Sequence, residues 1–460
     1  MKIKITLEDM FNLNSATIYN PDAFKSASYV SINSRIIKRN CTFVAIKGKN
    51  FDGHSFVKDA IQKGAGSVVI NMKRLDEFDD VDKTIITVKN TLKAYGQLAN
   101  IWRNKLNAKV VSISGSNGKT TTKEMLYTLL SGRFKVNKTV LNNNNQIGVP
   151  LTIFNTNEKH EILILEHGTN HFGEIEYTAK IAQPDYALLT NIGDSHLEYL
   201  KDRNGVLKEK IALFNESLKN NGTIFINTDD PLLKKKAKYY ENTVSFGFKN
   251  NPDIKGKILG FTHDAKTRLL VISQQKSFEV ELPMPGISNA KNYLAAVSVA
   301  LKLGLSKKEI LEGTRKIKSV EGRLNIKNIK DKIVIDDTYN SNPQSMKESL
   351  EVVGLFKSYK NKIVILGDML ELGKDSVSLH KDIAKLIKKN KINSVLTIGK
   401  FMKYLDDELN GLSFFHKHFR TRKSLKKFLE RNDFVNSVIL FKGSRGMKME
   451  EFLKIFLREA

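Results

Sequence analysis

The stretch Val110-Val111-Ser112-Ile113-Ser114-Gly115-Ser116-Asn117-Gly118-Lys119-Thr120-Thr121-Thr122-Lys123-Glu124 constrains this chain more than any other. A β-branched apolar run meets two glycines three residues apart, then a lysine and three hydroxyl residues. After them Leu126, Leu129 and Leu130 fall at helical spacing. A polyphosphate needs that order of residue types. Glycines let the backbone turn tightly, so that its N–H groups face the ligand, and the helix N-terminus adds partial positive charge. Lys119 then reaches the outer phosphates, and the Thr120 hydroxyl can hold Mg²⁺. Gly115, Ser116, Asn117, Gly118, Lys119, Thr120 and Thr121 are therefore candidate nucleotide-binding residues. A full-length phosphate loop would begin with glycine at Ile113, so the form present is the contracted Gly-x-x-Gly-Lys-Thr. The bland alternative is a glycine-rich turn that joins a strand to a helix and binds nothing.

At 460 residues the chain is too long for a single core, and about two to four domains are expected. The first ten residues include Glu8 and Asp9 and lack the apolar core of a signal peptide. No uncharged apolar run is long enough to span a bilayer, so membrane insertion is not expected. The single cysteine, Cys41, excludes an internal disulfide or a thiolate metal site and fits a reducing, cytoplasmic setting. The net charge is +26. Its lysines are spread along the chain with no basic tail and no aromatic-interleaved patch, which favours a solvated surface over a nucleic-acid partner.

Strand-like and helix-like segments alternate throughout, which predicts an α/β protein of three domains. Residues 1–108 read as a small N-terminal α/β domain, with strands over 42–46, 67–70 and 85–88 and helices over 54–63 and 91–104. Residues 109–321 read as a central P-loop domain on a mostly parallel sheet, with strands over 162–165, 186–189 and 223–226. Residues 322–460 read as a C-terminal Rossmann-like domain. Its strands are expected over 333–335, 362–366, 394–398 and 437–441, and its helices over 345–356, 379–388 and 425–430. Polar clusters follow several strands, where α/β sheets bind ligands. Glu166 ends one strand, and Asn191 ends another that leads to His196. Each alone reads as a capped turn, whereas together beside a phosphate loop they suggest a metal–phosphate site.

Lys210 stands apart. On a helix expected over 205–218 its i−4, i−3, i+3 and i+4 neighbours are Val206, Leu207, Leu213 and Phe214, all apolar. A cation so placed must snorkel, pair or lose its charge. A snorkelling stem is the plain reading.

Over nearly its whole length the chain resembles the Mur ligases. The matching words are Phe43-Val44-Ala45-Ile46-Lys47-Gly48 with Phe51-Asp52-Gly53-His54, the phosphate loop, and Asn145-Gln146-Ile147-Gly148-Val149-Pro150-Leu151-Thr152. Glu166-His167-Gly168-Thr169-Asn170 and Thr190-Asn191-Ile192-Gly193 with His196-Leu197-Glu198 follow. The last domain adds Asp336-Asp337-Thr338-Tyr339-Asn340-Ser341-Asn342-Pro343-Gln344, Leu366-Gly367-Asp368-Met369-Leu370-Glu371-Leu372-Gly373 and Lys442-Gly443-Ser444-Arg445. These final words match the branch that adds D-alanyl-D-alanine, and the Asp-Asn-Pro-Arg word of the diaminopimelate-adding branch is absent.

The resemblance implies an ATP-dependent, ADP-forming ligase that joins D-alanyl-D-alanine to UDP-N-acetylmuramoyl-tripeptide through an acyl phosphate. That places it in cytoplasmic peptidoglycan precursor synthesis, and so in cell wall biogenesis, cell shape and division. It implies that Lys119 supports the β- and γ-phosphates, and that Thr120, Glu166 and His196 serve Mg²⁺. Asn289 and Asn292 match an adenine-side motif, Arg323 and Asp337 lie nearer phosphates and ribose, and Ser34 and Arg35 match the UDP-sugar site, with Asn33 in place of the family's aspartate. Lys210 occupies the place of a carbamylated lysine (N6-carboxylysine), although Lys-Glu-Lys-Ile-Ala-Leu-Phe departs from the usual surrounding word. Lys119, Glu166, His196 and Lys210 are thus the expected catalytic residues. Two rivals remain open, a sibling ligase with another acceptor and a P-loop ATPase acting on nucleic acid. The sequence is silent on oligomeric state, and a monomer is the working expectation.

Overall fold

Short Val-, Ile- and Leu-rich runs between charged turns become strands in the computed structural model, which describes residues 3–274 and 277–457. Three sheets result, interleaved with helices. The chain divides into two units. One comprises the described residues up to Ile113 together with Phe134–Ala187 and Ala212–Thr223; the other comprises Ser114–Arg133, Leu188–Ile211 and the residues from Ile224 onward.

In the first unit β1 (Thr17–Tyr19), β2 (Tyr29–Ser31), β3 (Cys41–Val44), β4 (Ala65–Asn71) and β5 (Thr84–Val88) form a sheet in the order β1-β5-β4-β3-β2. Only β1 runs antiparallel to its neighbour. The helix Thr91–Asn104 starts where the sequence places it, because the Asn90 side chain accepts the Lys93 N–H. Its apolar stripe of Ala94, Tyr95, Leu98, Ala99 and Trp102 shares one core with Val149, Ile153, Phe154 and Ile181. Each large side chain buried there contributes about 1.5–3 kcal/mol. The Trp102 indole N–H is satisfied by the Thr156 carbonyl at 2.9 Å. Further along, β6 (Lys109–Ser114) and β7 (Val136–Lys138) each pair in parallel with β8 (Ile162–Glu166).

The chain continues through β9 (Tyr186–Leu189) to β10 (Thr223–Asn227), β11 (Thr243–Gly247) and β12 (Ile254–Phe261). In the second unit β10, β11 and β12 pair in parallel. The expectation of regular alternation fails beyond this point. β12, β13 (Lys266–Ser273) and β14 (Ser277–Pro285) form an antiparallel meander. The links between these strands are a few residues long, whereas a parallel crossover needs about a dozen.

The last sheet holds β15 (Asn325–Ile329), β16 (Lys332–Asp337), β17 (Asn361–Gly367), β18 (Ser394–Ile398), β19 (Phe415–Phe419) and β20 (Ser437–Lys442), ordered β15-β16-β20-β17-β18-β19. All neighbours are parallel except β15 with β16. Side chains alternate between two cores. Val364 and Leu366 join the helices Pro343–Leu355, Ile383–Lys389 and Met402–Glu408; Ile363 and Ile365 join Arg422–Arg431 and Glu450–Leu457. This is the Rossmann-like layering the sequence implies. The single helix expected over 379–388 is two, Ser376–Lys381 and Ile383–Lys389, divided at Asp382. Among the described residues no helix is long and apolar enough to cross a membrane.

Candidate active site

Buried β6 delivers the chain to Gly115 and Gly118, and both adopt backbone conformations that other residues avoid, with φ of +144° and +81°. Each is also a point of close approach. A Cβ on Gly115 would stand 1.9 Å from Thr190 Oγ1, and one on Gly118 would stand 2.1 Å from Asn292 Oδ1. Gly118 caps the helix Lys119–Leu130 and accepts its first hydrogen bond from the Thr122 N–H at 2.8 Å. The loop therefore opens a helix N-terminus, the setting that favours phosphate.

The segment after β9 braces this loop. The Asn191 carbonyl accepts from the Ser116 N–H at 3.0 Å, and Asn191 Oδ1 accepts from the Asn117 N–H at 3.0 Å. The Asn117 carbonyl accepts from the Thr190 hydroxyl at 2.5 Å and from Asn191 Nδ2 at 3.1 Å. Asn342 Nδ2 donates to Asn117 Oδ1 at 2.7 Å, so the C-terminal Rossmann-like domain touches the loop directly. Behind these, Asn227 Nδ2 holds the Thr190 carbonyl at 2.7 Å, and Asp230 accepts from the Ile192 N–H at 2.7 Å. No partner of Asn191 is legible in the sequence, and neither Asn227 nor Asp230 is among the residues expected at the site. Asp230-Pro231 was legible as a helix start, with its carboxylate capping Leu232 and Leu233 and proline in the first turn.

Lys119 Nζ donates to the Gly115 carbonyl at 2.8 Å and approaches that of Ser116 at 3.4 Å. Thr120 and Thr121 are buried. Lys210 lies on the helix Arg203–Lys219 and is 1% exposed, so its stem does not snorkel to solvent. Burial pushes its pKa well below 10.5, and the like charge of Lys119 adds to the effect. The structure thus places together the phosphate loop, Asn292, Lys119 and the buried Lys210 amine.

Asn289 is buried and donates to the Pro285 carbonyl at 2.8 Å. Arg323 lies 4.2 Å over the Tyr339 ring. Asp337 is a structural hub, accepting from the Leu324 N–H at 3.1 Å, the Ser349 hydroxyl at 2.5 Å and the buried Lys442 ammonium. His196 and Glu371 both have left-handed backbones, with φ of +54° and +63°, and Nδ1 of the ring meets the carboxylate at 2.8 Å. That hydrogen bond holds the Glu371 carboxyl below its usual range.

The remaining expected residues belong to the other unit. Glu166 ends buried β8, where its Oε1 accepts from Asn144 Nδ2 at 2.9 Å and its N–H donates to Thr139 Oγ1 at 3.0 Å. The adjacent His167 is bonded to Thr178 and Ser112, and burial lowers its pKa to about 3, so it is a neutral core group. Ser34 is buried and Arg35 exposed at the start of a short 3₁₀ turn. Asn33 caps that turn, its Oδ1 accepting from the Arg35 N–H at 3.0 Å. Asn and Asp cap about equally well, so replacing the family's aspartate leaves the turn intact.

Phosphate fits what the loop offers. Its N–H groups open a helix, the Lys119 ammonium and the buried Lys210 amine lie beside it, and among the described residues the buried Asn117 Nδ2 has no hydrogen-bond partner. Among the described residues no three His, Cys, Asp or Glu side chains could by themselves hold a metal ion. The Thr120 hydroxyl, a hard oxygen donor, suits Mg²⁺, which takes most of its ligands from phosphate and water. Gly118→Ala should cost about 1–2 kcal/mol in backbone conformation and push Asn292 aside. Nucleotide affinity about tenfold weaker is expected, measurable by titration calorimetry with ADP.

Comparison with known proteins bears on the same residues. Three family models match: "Mur ligase family, catalytic domain" over residues 27–103, "Mur ligase middle domain" over 113–300, and "Mur ligase, glutamate ligase domain" over 322–446. The chain is 33% identical to the UDP-N-acetylmuramoyl-tripeptide--D-alanyl-D-alanine ligase of Bacillus subtilis, covering 98% of each chain. To the Escherichia coli ligase of that name it is 30% identical, again over 98% of each. Among solved structures, MurF from Acinetobacter baumannii superposes with a TM-score of 0.89 at 29% identity, covering 99% of both chains. The Thermotoga maritima MurF ligase in complex with ADP gives 0.84 at 30%, covering 94% of this chain and 97% of that one.

Proposed function

The chain belongs to the Mur ligase family, and on that premise we propose that it couples ATP to formation of an amide bond. Its substrates are UDP-N-acetylmuramoyl-tripeptide and D-alanyl-D-alanine, and its setting is cytoplasmic peptidoglycan precursor synthesis. The observation that carries the reading is the contracted phosphate loop, closed by Thr190 and Asn292 against glycines that admit no Cβ, with Lys119 and Lys210 beside it. Residues 1–108 are assigned to the UDP-muramoyl-peptide, 109–321 to ATP, and 322–460 to the Rossmann-like ligase domain.

A carboxylate does not acylate an amine at neutral pH, because its oxygen is a poor leaving group. The terminal carboxylate of the tripeptide attacks the γ-phosphorus of ATP and ADP departs, leaving an acyl phosphate. The amine of D-alanyl-D-alanine adds to that carbonyl, loses a proton, and phosphate leaves. Negative charge grows on oxygen in both steps, so fixed positive charge and aimed N–H groups supply the catalysis. Lys119 turns from the Gly115 and Ser116 carbonyls to the β- and γ-phosphates. Gly115, Ser116, Asn117, Gly118, Thr120 and Thr121 cradle them, and Asn292 holds the loop's shape from behind. Asn289, Arg323 and Asp337 line the nucleoside side, and Ser34 with Arg35 takes the UDP end. Mg²⁺, served by Thr120, Glu166 and His196, would neutralise charge on the phosphoryl oxygens.

Lys210 is proposed as the site of carbamylation. Its lowered pKa keeps a fraction of the amine uncharged, the form that adds to CO₂. The neutral amine forms an N–C bond with CO₂, one proton leaves, and a buried amine becomes an anionic oxygen donor. Lys210→Met is expected to lower turnover about a hundredfold while the fold stays as stable or gains stability, since a buried amine is removed. A carbamate ¹³C signal from labelled bicarbonate should be present in the wild type and absent in the variant. Turnover unchanged by the substitution would overturn the assignment.

The function itself is tested by ADP release and product mass. Both are expected when ATP, UDP-muramoyl-tripeptide and D-alanyl-D-alanine are all present. ATP turnover that ignores D-alanyl-D-alanine but responds to another amino acid would reassign the acceptor.

A further inference from the structure

The C-terminal sheet has a second carboxyl-edge crevice, none of whose lining residues is assigned a part in the reaction above. In such sheets a crevice opens where neighbouring strands send their chains to opposite faces. β16 and β20 are one such pair, and Asp337 with its partner Lys442 lies at their ends. β18 and β19 are another. They pair in parallel with Ile398 opposite Phe419. Beyond β18 the helix Met402–Glu408 packs into one core, and beyond β19 the helix Arg422–Arg431 packs into the other. The two connections diverge and leave a cavity of about 540 Å³ at the strand ends, within the ordinary range for small-molecule sites.

Its lining is strongly basic. Lys400, Lys403, Arg420 and Arg422 rim a floor of Ile398, Phe419 and Met447. Arg422 is already engaged, donating to the carbonyls of Met447 and Lys448 and to Glu451. Lys400 lies 5.4 Å over the Phe401 ring, and among the described residues Lys400, Lys403 and Arg420 have no carboxylate partner. Arg420, Arg422 and Lys423 also crowd the start of the ten-residue helix Arg422–Arg431, where the helix dipole disfavours cations. Like charges at a positive helix end, around a concave apolar floor, are relieved by a bound anion. We propose that this crevice binds a phosphate-bearing metabolite of nucleotide size, its phosphoryl groups on Lys400, Lys403 and Arg420 and its less polar part on Ile398, Phe419 and Met447.

The proposal is independent of the ligase reading, and inorganic pyrophosphate is the probe. Calorimetric titration of the full-length protein should resolve two binding events. Lys119→Ala should remove the one at the phosphate loop and keep the other. The double variant K403S/R420S, changed only at exposed positions, should weaken that second event by about tenfold or more and leave amide formation without pyrophosphate unchanged. The proposal is overturned if Lys119→Ala abolishes all pyrophosphate binding, or if K403S/R420S binds as the wild type does. It is equally overturned if duplex DNA displaces pyrophosphate from the second site, since that would reveal unspecific charge.

Discussion

Lys119→Ala is expected to lower the rate of amide formation by about a thousandfold, the scale on which loss of one cation or donor at a transferring phosphoryl group is felt. The ammonium sits on two loop carbonyls, Gly115 and Ser116, from which the phosphates would draw it. Removing it costs those contacts about 1 kcal/mol, so the urea midpoint should move little while turnover collapses. The change also lifts a like charge from Lys210, which then holds its proton more firmly and takes up CO₂ less readily. A labelled-bicarbonate signal weaker in Lys119→Ala than in the wild type would register that coupling. Turnover within tenfold of normal would remove Lys119 from the chemistry.

The second large effect concerns stability. Lys442→Met should destabilise the C-terminal domain by about 3–5 kcal/mol, because it strands the buried Asp337 carboxylate without its cation. The Leu324 N–H and the Ser349 hydroxyl would remain, and neither carries charge. Adding Asp337→Asn should recover much of the loss, since a neutral amide can keep those two partners. Urea denaturation of both single variants and the double variant measures the coupling. If Lys442→Met alone costs less than about 1 kcal/mol, the pair is better hydrated than its burial implies.

Local chemistry was the most legible part of the chain. Glycine spacing after a β-branched run located the phosphate loop, and the apolar pattern placed a helix over 91–104, the bounds the structure shows. Apolar residues at i±3 and i±4 singled out Lys210, and burial settled its plain alternative, because the stem stays inside. The bracing of the loop was not legible. Asn191 reaches Asn117 across 74 positions and Asn342 reaches it across 225, and no local pattern announces such pairings. The antiparallel meander was missed for another reason. Ser277-Phe278-Glu279-Val280-Glu281-Leu282 alternates cleanly, the mark of a half-buried strand, whereas the strands expected in this domain are unbroken apolar runs. The shared word that points to Asp337 does not announce its intradomain partners, the Leu324 N–H, the Ser349 hydroxyl and the Lys442 ammonium, which lie 13, 12 and 105 positions away.

That meander ends on β14, the outermost strand of its sheet, whose outer ladder groups face no further strand among the described residues. Such rims invite another polypeptide to continue the ladder. Glu279, Glu281 and Pro283 stand exposed along this one, and the register with β13 shifts between Lys266 and Arg268. Repelling charges, a missing N–H and a local kink make the rim a poor template for growth, so the sheet closes its own boundary against fibrous self-association.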